Sequence, residues 1–361
     1  MKPPPSSRAA VFDGKNDRLE VKSFLLPELK RGEALVKISC CTICGSDLHT
    51  VRGDRPVAGP TILGHEIIGH IVELGSELRD VAGKTISIGD RITWSVAASC
   101  GECFYCQASL PQKCVELIKY GHEVIDGKYP LSGGLAEHCH LSRGTAVVKV
   151  PDAIPDVVAC PANCATATVA AALRVSGNCR DKTIVIHGAG MLGLTAAAMS
   201  RRFGAKTVIV SDIVSSRREL AESFGATLSV NASDGSIQER VQAMTDGRGA
   251  DIALEMSGAN SAIEQSLDLL RIGGRLILVG TVFPTDPIAV TPERIVRKLL
   301  RIEGVHNYTP KDLAVALQFL GEARSEYPFE ELIDVEYRLT DVNDAIRRAM
   351  SSEVIRVAVR P

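Results

Sequence analysis

Lys182–Gly193 reads KTIVIHGAGMLG. A run of β-branched residues is followed by G-x-G-x-x-G, and LTAAAMSRRFGA then carries a helical pattern that stops at Gly204. A strand that ends in glycines and opens a helix is the context that makes this motif credible as a dinucleotide loop. The first glycine permits a tight turn, and the second lets the backbone approach a pyrophosphate resting on the helix N-terminus. Gly188, Gly190, Met191, Leu192 and Gly193 are therefore the expected cofactor loop. The bland alternative is a glycine turn without a ligand. TVIVSD follows and ends at Asp212, nineteen residues after Gly193. A carboxylate there suits the two ribose hydroxyls of NAD and repels a 2′-phosphate, so NAD is expected over NADP. Arg217 and Arg218 lie close enough in sequence to pull the other way, and Arg217 is kept as a cofactor-binding candidate.

Outward from this loop, strands and helices alternate through SSRRELAESFGA, DIALEM, SAIEQSLDLLRIGG and RLILVG. That alternation predicts an α/β, doubly wound parallel sheet of the Rossmann kind over 156–305. DVVACPANCATATVAAALRVS, at its entrance, is Ala-rich and compatible with helix. RLILVG and the residues that follow it are candidates to add edge strands to the sheet of a second copy, which makes a homodimer or homotetramer the expected assembly.

The N-terminal part has a different texture. AAVF, LEVKSF, EALVKISC, IIGHIVEL, DRITWSV, GLAEHCHL and AVVKVP are short runs punctuated by Gly and Pro, many of them alternating apolar with polar. They predict a barrel-like β domain over 1–155. After 305, KDLAVALQFLGEA and DVNDAIRRAM read as helices and IRVAVR as a strand. This 306–361 tail is expected to return to the first domain, with hinges near 155 and 305.

A chain of 361 residues is long for one core and fits two domains. Apolar content of 45% with 23% charged residues is that of a globular protein. A net charge of −2 without blocks of like charge gives no sign of a nucleic-acid or membrane partner. MKPPPSSRAAVF has no signal-peptide core, and no apolar run reaches membrane length, so a cytoplasmic protein is expected. In a reducing compartment, eleven cysteines point to metal or catalysis before disulfides.

Four of them, Cys100, Cys103, Cys106 and Cys114, fall within fifteen residues, in a lobe placed at 97–115. Four thiolates so spaced suit a closed structural zinc. An iron–sulfur cluster is the rival, but its bacterial spacing puts three residues between the last two cysteines, followed by Pro; here the gap is seven and Val115 follows. Cys40, Cys41, Cys139, Cys160 and Cys179 read as core thiols. A second candidate centre begins in CCTICGSDLHT and GHEIIGH, where Cys44 and His65 are ligand types for zinc. A catalytic zinc needs a third ligand. Cys160 and Cys164, spaced C-x3-C, are the cysteines available downstream. His70, five after His65, is expected on the opposite face of its strand. Trp94 reads equally well as core or pocket wall.

Cys44-Gly45-Ser46-Asp47-Leu48-His49, Gly64-His65-Glu66, the four-cysteine lobe and Gly188–Gly193 run in order over nearly the whole chain. Together they resemble the zinc-dependent alcohol dehydrogenases of the medium-chain dehydrogenase/reductase family. The resemblance implies a GroES-like β-barrel catalytic domain beside a Rossmann domain, two Zn2+ per chain, NAD, and a small alcohol or aldehyde substrate. It implies that Cys44, His65 and Cys164 hold the catalytic zinc. Glu66 would be a nearby carboxylate, and Asp47 would orient His65. Ser46 would take the proton from a hydroxyl made acidic by zinc, His49 would pass it to solvent, and the carbinol hydride would go to the nicotinamide. Arg356 resembles an arginine that contacts the cofactor pyrophosphate. Ala165-Thr166-Ala167-Thr168 departs from the glycines many relatives carry after this cysteine, and polyol dehydrogenases use a glutamate as third ligand.

Other functions stay open on these residues. A polyol or amino-alcohol dehydrogenase would use the same chemistry. CTICGSDLHT with PANCATAT resembles a subgroup that acts in phosphonate metabolism; a hydroxyalkyl phosphonate would need cations, for which Arg52, Arg55, Lys119 and Arg143 are candidates. A non-enzymatic zinc- and nucleotide-binding protein would need neither Ser46 nor His49.

Overall fold

The structure is a computed structural model that describes residues 5–15, 17–125 and 128–361. The chain forms two compact units. The first runs to Ala167 and takes in Thr309–Glu322 and Phe329–Pro361; the second is Thr168–Tyr308 with Ala323–Pro328. The expected opening of the second domain at Asp156 therefore differs from the observed division at Ala167/Thr168.

The first unit is built on a seven-stranded sheet. Its order is Val147–Lys149, Arg91–Trp94, Glu66–Leu74, Ala34–Thr42, Arg356–Arg360, Ile333–Arg338, with His138–Leu141 also paired to Ala34–Thr42. Ser6–Phe12 joins Leu19–Leu25 and Thr61–Ile62 in a second, three-stranded sheet. Ile67, Ile71, Ile92, Trp94, Leu135, Val357 and Val359 share one core. Full burial of a side chain of this kind is worth roughly 1.5–3 kcal/mol.

Register in this sheet brings candidate site residues together. Thr42 pairs with Glu66 on one side and with Ala358 on the other. Residues two apart on a strand share a face, so Arg356 comes round toward Glu66. The C-terminal strand is thus part of the site's floor.

The second unit holds a six-stranded sheet in the order Leu228–Asn231, Thr207–Asp212, Thr183–His187, Ala250–Glu255, Leu270–Leu278, Arg301–Gly304, with every pair parallel. The three central strands, TIVIH, TVIVSD and ADIALE, are buried at every position. A parallel sheet covered on both faces requires such continuous burial. The order reverses at Thr183–His187, and open α/β sheets take ligands beyond the carboxyl ends of strands at such a switch point.

RLILVG itself is inside the sheet, because Leu270–Leu278 lies between Ala250–Glu255 and Arg301–Gly304; the edge falls among the residues that follow it, at the exposed Arg301–Gly304. The Ala-rich entrance is helical in segments. Asp156–Ala159 passes into a 3-10 turn at Cys160–Asn163, Cys164 leaves helical geometry with φ −134° and ψ −78°, and the helix resumes at Ala165–Ser176. No single helix among the described residues is long and apolar enough to cross a membrane.

Candidate metal centres and cofactor loop

Cys44 is the N-cap of the short helix Gly45–Val51. Asp47, in its first turn, turns back to cap it: Oδ2 accepts from the Cys44 N–H at 2.9 Å. The other oxygen, Oδ1, accepts from the Gly64 N–H at 3.1 Å. One buried carboxylate thereby ties the loop carrying Cys44 to the loop carrying His65. Gly64 has φ +87°, and a Cβ there would lie 2.6 Å from Cys41 Sγ, so the turn into His65 requires glycine.

Asn163 fixes the third approach. Its Nδ2 donates to His65 O and Trp94 O, both at 2.9 Å, and its Oδ1 accepts from Ile67 N–H at 3.3 Å. The break after Asn163 brings Cys164 Sγ to 4.0 Å from Cys44 Sγ. Two thiolates bound to one zinc at about 2.3 Å in a tetrahedron sit ~3.8 Å apart. The ligand atoms of Cys44, His65 and Cys164 all lie within 4.8 Å of one another. Cys160, the other C-x3-C thiol, donates instead to Glu66 O at 3.0 Å and Cys40 O at 3.3 Å, inside the core.

The charges favour a cation. Asp47 Oδ1 lies 3.3 Å from His65 Nδ1, off the line of a good hydrogen bond, and Ser46 Oγ is 3.3 Å from Nε2. Burial disfavours a charged imidazole, but Asp47 and then Cys44 override it and lift His65 to about 10. The Cys164 thiol, then Arg356, hold Cys44 well below the usual thiol range. Glu66 is fully buried; it accepts from Thr42 Oγ1 at 2.6 Å and from Arg356 Nε and Nη2 at 3.0 and 3.1 Å. Burial raises the Glu66 carboxyl even against Arg356. Arg356 Nη2 also reaches Cys44 Sγ at 3.5 Å. His49, on the same helix, pairs with Asp54: Nδ1 to Oδ2 is 2.8 Å.

The lobe cysteines converge likewise. Cys100–Cys106, Cys103–Cys114 and Cys114–Cys100 sulfurs lie 4.0, 3.9 and 3.4 Å apart. Backbone N–H groups of Cys100, Cys103 and Glu116 point at Cys114, Cys100 and Cys114 sulfurs respectively, at 3.2–3.4 Å. Such donors favour thiolate, the form that binds metal.

In the second unit, Gly188 has φ +96° and a Cβ at Gly193 would strike Gly188 O at 1.7 Å. A Cβ at Gly190 would meet no protein atom within 4 Å, so packing does not explain that glycine; an open cradle at the N-terminus of Met191–Arg202 does. Asp212 Oδ2 accepts from Ala189 N–H at 2.6 Å and Oδ1 from Val214 N–H at 2.8 Å, which pins the carboxylate at the strand end. Arg218 spends Nη1 on Asp212 O and Ile213 O. His187 is buried, with Nδ1 2.8 Å from Ser211 Oγ.

His70 is exposed and Trp94 is fully buried in the core, edge-on to Tyr120. Arg52 and Arg143 are exposed; Arg143 packs along Gly32, on another part of the unit. Sequence reasoning missed Thr42, Asp54, Asn163 and His122, whose ring centroid lies 5.3 Å from that of His65. Asn163 alone had a signal, as a polar residue next to Cys164 in an otherwise apolar stretch.

Residues 30–152 match the model of the alcohol dehydrogenase GroES-like domain, and residues 192–322 match that of zinc-binding dehydrogenase. An alcohol dehydrogenase of Geobacillus stearothermophilus is 32% identical over 352 residues, 96% of each chain. The crystal structure of an alcohol dehydrogenase from Thermotoga maritima superposes with a TM-score of 0.93 at 33% identity, covering 99% of both chains. A zinc-binding dehydrogenase of Sinorhizobium meliloti, solved with NADP, gives 0.85 at 28% identity, again over 99% of both. With that identity sustained from end to end, the chain belongs to the zinc-dependent alcohol dehydrogenases of the medium-chain dehydrogenase/reductase family.

Proposed function

We propose that this zinc-dependent alcohol oxidoreductase interconverts an alcohol with its aldehyde or ketone at Cys44, His65 and Cys164, with NAD as hydride carrier. The observation that carries the reading is the convergence of two thiols and one imidazole within 4.8 Å, with the Ser46 hydroxyl 3.3 Å from that imidazole. Sulfur and imidazole are donors that suit zinc. When bound, zinc polarises and acidifies a hydroxyl, and nicotinamide accepts hydride.

The chain's own groups do the rest. Ser46 Oγ, beside the ligand cluster, takes the hydroxyl proton. His49 lies one turn on in the same helix and, paired with Asp54, delivers it to solvent. Asp47 holds His65 so that Nε2 faces the cluster. Glu66 and Arg356 keep a charged pair against Cys44; Arg356 also remains a candidate for the cofactor pyrophosphate. Gly188, Gly190, Met191, Leu192 and Gly193 cradle the dinucleotide. Asp212 receives the ribose, and the commitment of Arg218 to backbone carbonyls supports NAD over NADP, with Arg217 the remaining cation on that helix. Cys100, Cys103, Cys106 and Cys114 hold a second, structural zinc. The exposed edge Arg301–Gly304 supports a homodimer or homotetramer through sheet extension.

The test is metal content by mass spectrometry together with alcohol oxidation followed at the NADH absorbance, using NAD and NADP in parallel. Two zinc per chain, chelator-sensitive turnover and higher kcat/KM with NAD are expected. Full activity with one zinc, retained by the four-cysteine lobe, would overturn the reading, and a preference for NADP would overturn the role of Asp212. Light scattering tests the assembly.

A further inference from the structure

The amino end of the second unit's sheet, opposite the candidate cofactor loop, opens into a cleft of about 460 Å³. That volume lies in the range of small-molecule sites. Lys182, Asp251, Arg271, Arg275, Leu299 and Arg301 line it, so four cations stand there with a single carboxylate.

The cations are held by the backbone beneath them. Asp251, buried near the start of Ala250–Glu255, accepts from Thr183 N–H at 2.9 Å through Oδ2 and from Arg271 Nε at 2.7 Å through Oδ1. Lys182 Nζ stands 3.6 Å from that same Oδ1. The Arg271 guanidinium lies over Gly273, which has φ +74° and where a Cβ would come within 3.2 Å of Nη1. Arg275 Nη1 donates to Val175 O at 3.2 Å, and its guanidinium passes Gly177, where a Cβ would lie 3.4 Å from Nη1.

Asp251 is thus committed to Arg271 and Lys182. Arg275 and Arg301 have no carboxylate within ion-pair distance among the described residues; Glu303, two residues beyond Arg301, makes no ion pair with it. These two arginines are in register on the adjacent parallel strands Leu270–Leu278 and Arg301–Gly304, so both side chains leave the same face of the sheet. Like charges at facing positions on a sheet repel. Water screens that repulsion at the exposed edge but gives no reason for two arginines in register beside a third. A bound anion does.

We propose that this cleft binds a small multivalent anion, a molecule with several phosphate or carboxylate groups, which bridges Arg275 and Arg301 while Arg271 and Lys182 close on it from the side. Guanidinium forks match phosphate and carboxylate oxygens. The bridge ties the edge strand to its neighbour, so occupancy protects Arg301–Gly304 from local opening.

Calorimetry on the purified holoenzyme at physiological ionic strength tests this, with ATP, tripolyphosphate and citrate as probes and acetate as the monovalent control. At least one multivalent probe should bind saturably and at least tenfold more tightly than acetate. Its affinity should fall at least tenfold in Arg275→Gln and in Arg301→Gln, and Arg301→Lys should retain more of it than Arg301→Gln. Tightest binding of ATP, of tripolyphosphate or of citrate upholds the site and names the chemical source of the anion. Hydrogen exchange followed by mass spectrometry should slow at Arg301–Gly304 when the best probe is bound; unslowed exchange overturns the bridge between strands. Binding that both glutamine variants leave unchanged, as zinc chelation or filling of the dinucleotide loop would be, overturns the site. So does the absence of saturable binding by all three probes.

Discussion

Arg356 and Glu66, 290 positions apart in sequence, form a two-point ion pair beside the Cys44 thiol of the candidate metal site, Nε to Oε2 at 3.0 Å and Nη2 to Oε1 at 3.1 Å. The Glu66 side chain is fully buried and that of Arg356 nearly so, with 10% exposed. Removing one member of such a pair strands the other charge away from water, which costs about 3–5 kcal/mol, whereas removing both is far milder. Arg356→Met should therefore destabilise the protein by about that amount, and Glu66→Gln by a similar one. The double variant should recover more than half of the loss. Urea midpoints of the four proteins check this; additive losses would mean the two residues act independently.

Asp47 makes three contacts, to Cys44 N–H, Gly64 N–H and the His65 ring. Asp47→Ala leaves every ligand atom in place but loosens two of the three ligand loops. Loss of a group that orients a metal ligand typically lowers affinity 10–100-fold. Competition with a chelator should strip one zinc from Asp47→Ala at correspondingly lower chelator, while the lobe zinc stays. Asn163→Ala, which frees the His65 carbonyl, should act in the same direction. Unchanged retention of both zinc ions in both variants would contradict these roles.

Much of this was legible in the sequence, for identifiable reasons. Thr183–His187 carries an Ile-Val-Ile core and is buried at every position because both faces of its sheet are covered, and the glycines after it announce the turn. The lobe cysteines are close in sequence, so spacing alone brings them together. Cys164 is different. Its stretch is Ala-rich, and local preference favours one continuous helix; the break after Asn163 is enforced by hydrogen bonds to His65, Trp94 and Ile67. Arg356 meets Glu66 only through the pairing of Thr42 with both Glu66 and Ala358. Likewise, whether RLILVG is an edge depends on which strand is laid down beyond it, here Arg301–Gly304, and no local pattern encodes that.

Asp156 supplies a pH-dependent clamp in the first unit. Its Oδ1 accepts from Arg91 Nε and Nη2 at 2.9 and 2.6 Å, and Oδ2 from Arg360 Nη1 at 3.3 Å. Burial works to raise the carboxyl, but Arg91, then Ser39 and Arg360, hold it below its ordinary range. A folded value below the unfolded one, near 3.9, contributes stability in full above about pH 4 and loses it as pH falls through the folded value. Asp156→Asn should cost about 1–2 kcal/mol at pH 7, a figure reduced for partial exposure. The difference from wild type should shrink as pH falls below about 4 and go on shrinking as the folded-state carboxylate is protonated. Urea unfolding across that range decides it; a constant difference would show that the charge of Asp156 is not what Asn removes.

His49 stands where the site meets solvent, with 39% of its side chain exposed and Nδ1 engaged by Asp54 Oδ2. That bond commits Nδ1 to Asp54, and Ser46 lies one helical turn away. A positioned imidazole that moves a proton contributes about 10²–10⁴-fold, less where water takes over part of the path. His49→Ala should therefore lower kcat for alcohol oxidation at neutral pH by about 10–100-fold, with recovery at higher pH or with added imidazole as external base. Asp54→Asn leaves the ring in place and alters only its partner, so it should slow turnover less and shift the pH profile rather than flatten it. Zinc content must stay at the wild-type level in both variants, which separates proton transfer from metal loss. Wild-type kcat in His49→Ala at neutral pH, or a slow variant that buffer base does not accelerate, would remove His49 from the proton path and leave Ser46 to deliver its proton directly to water.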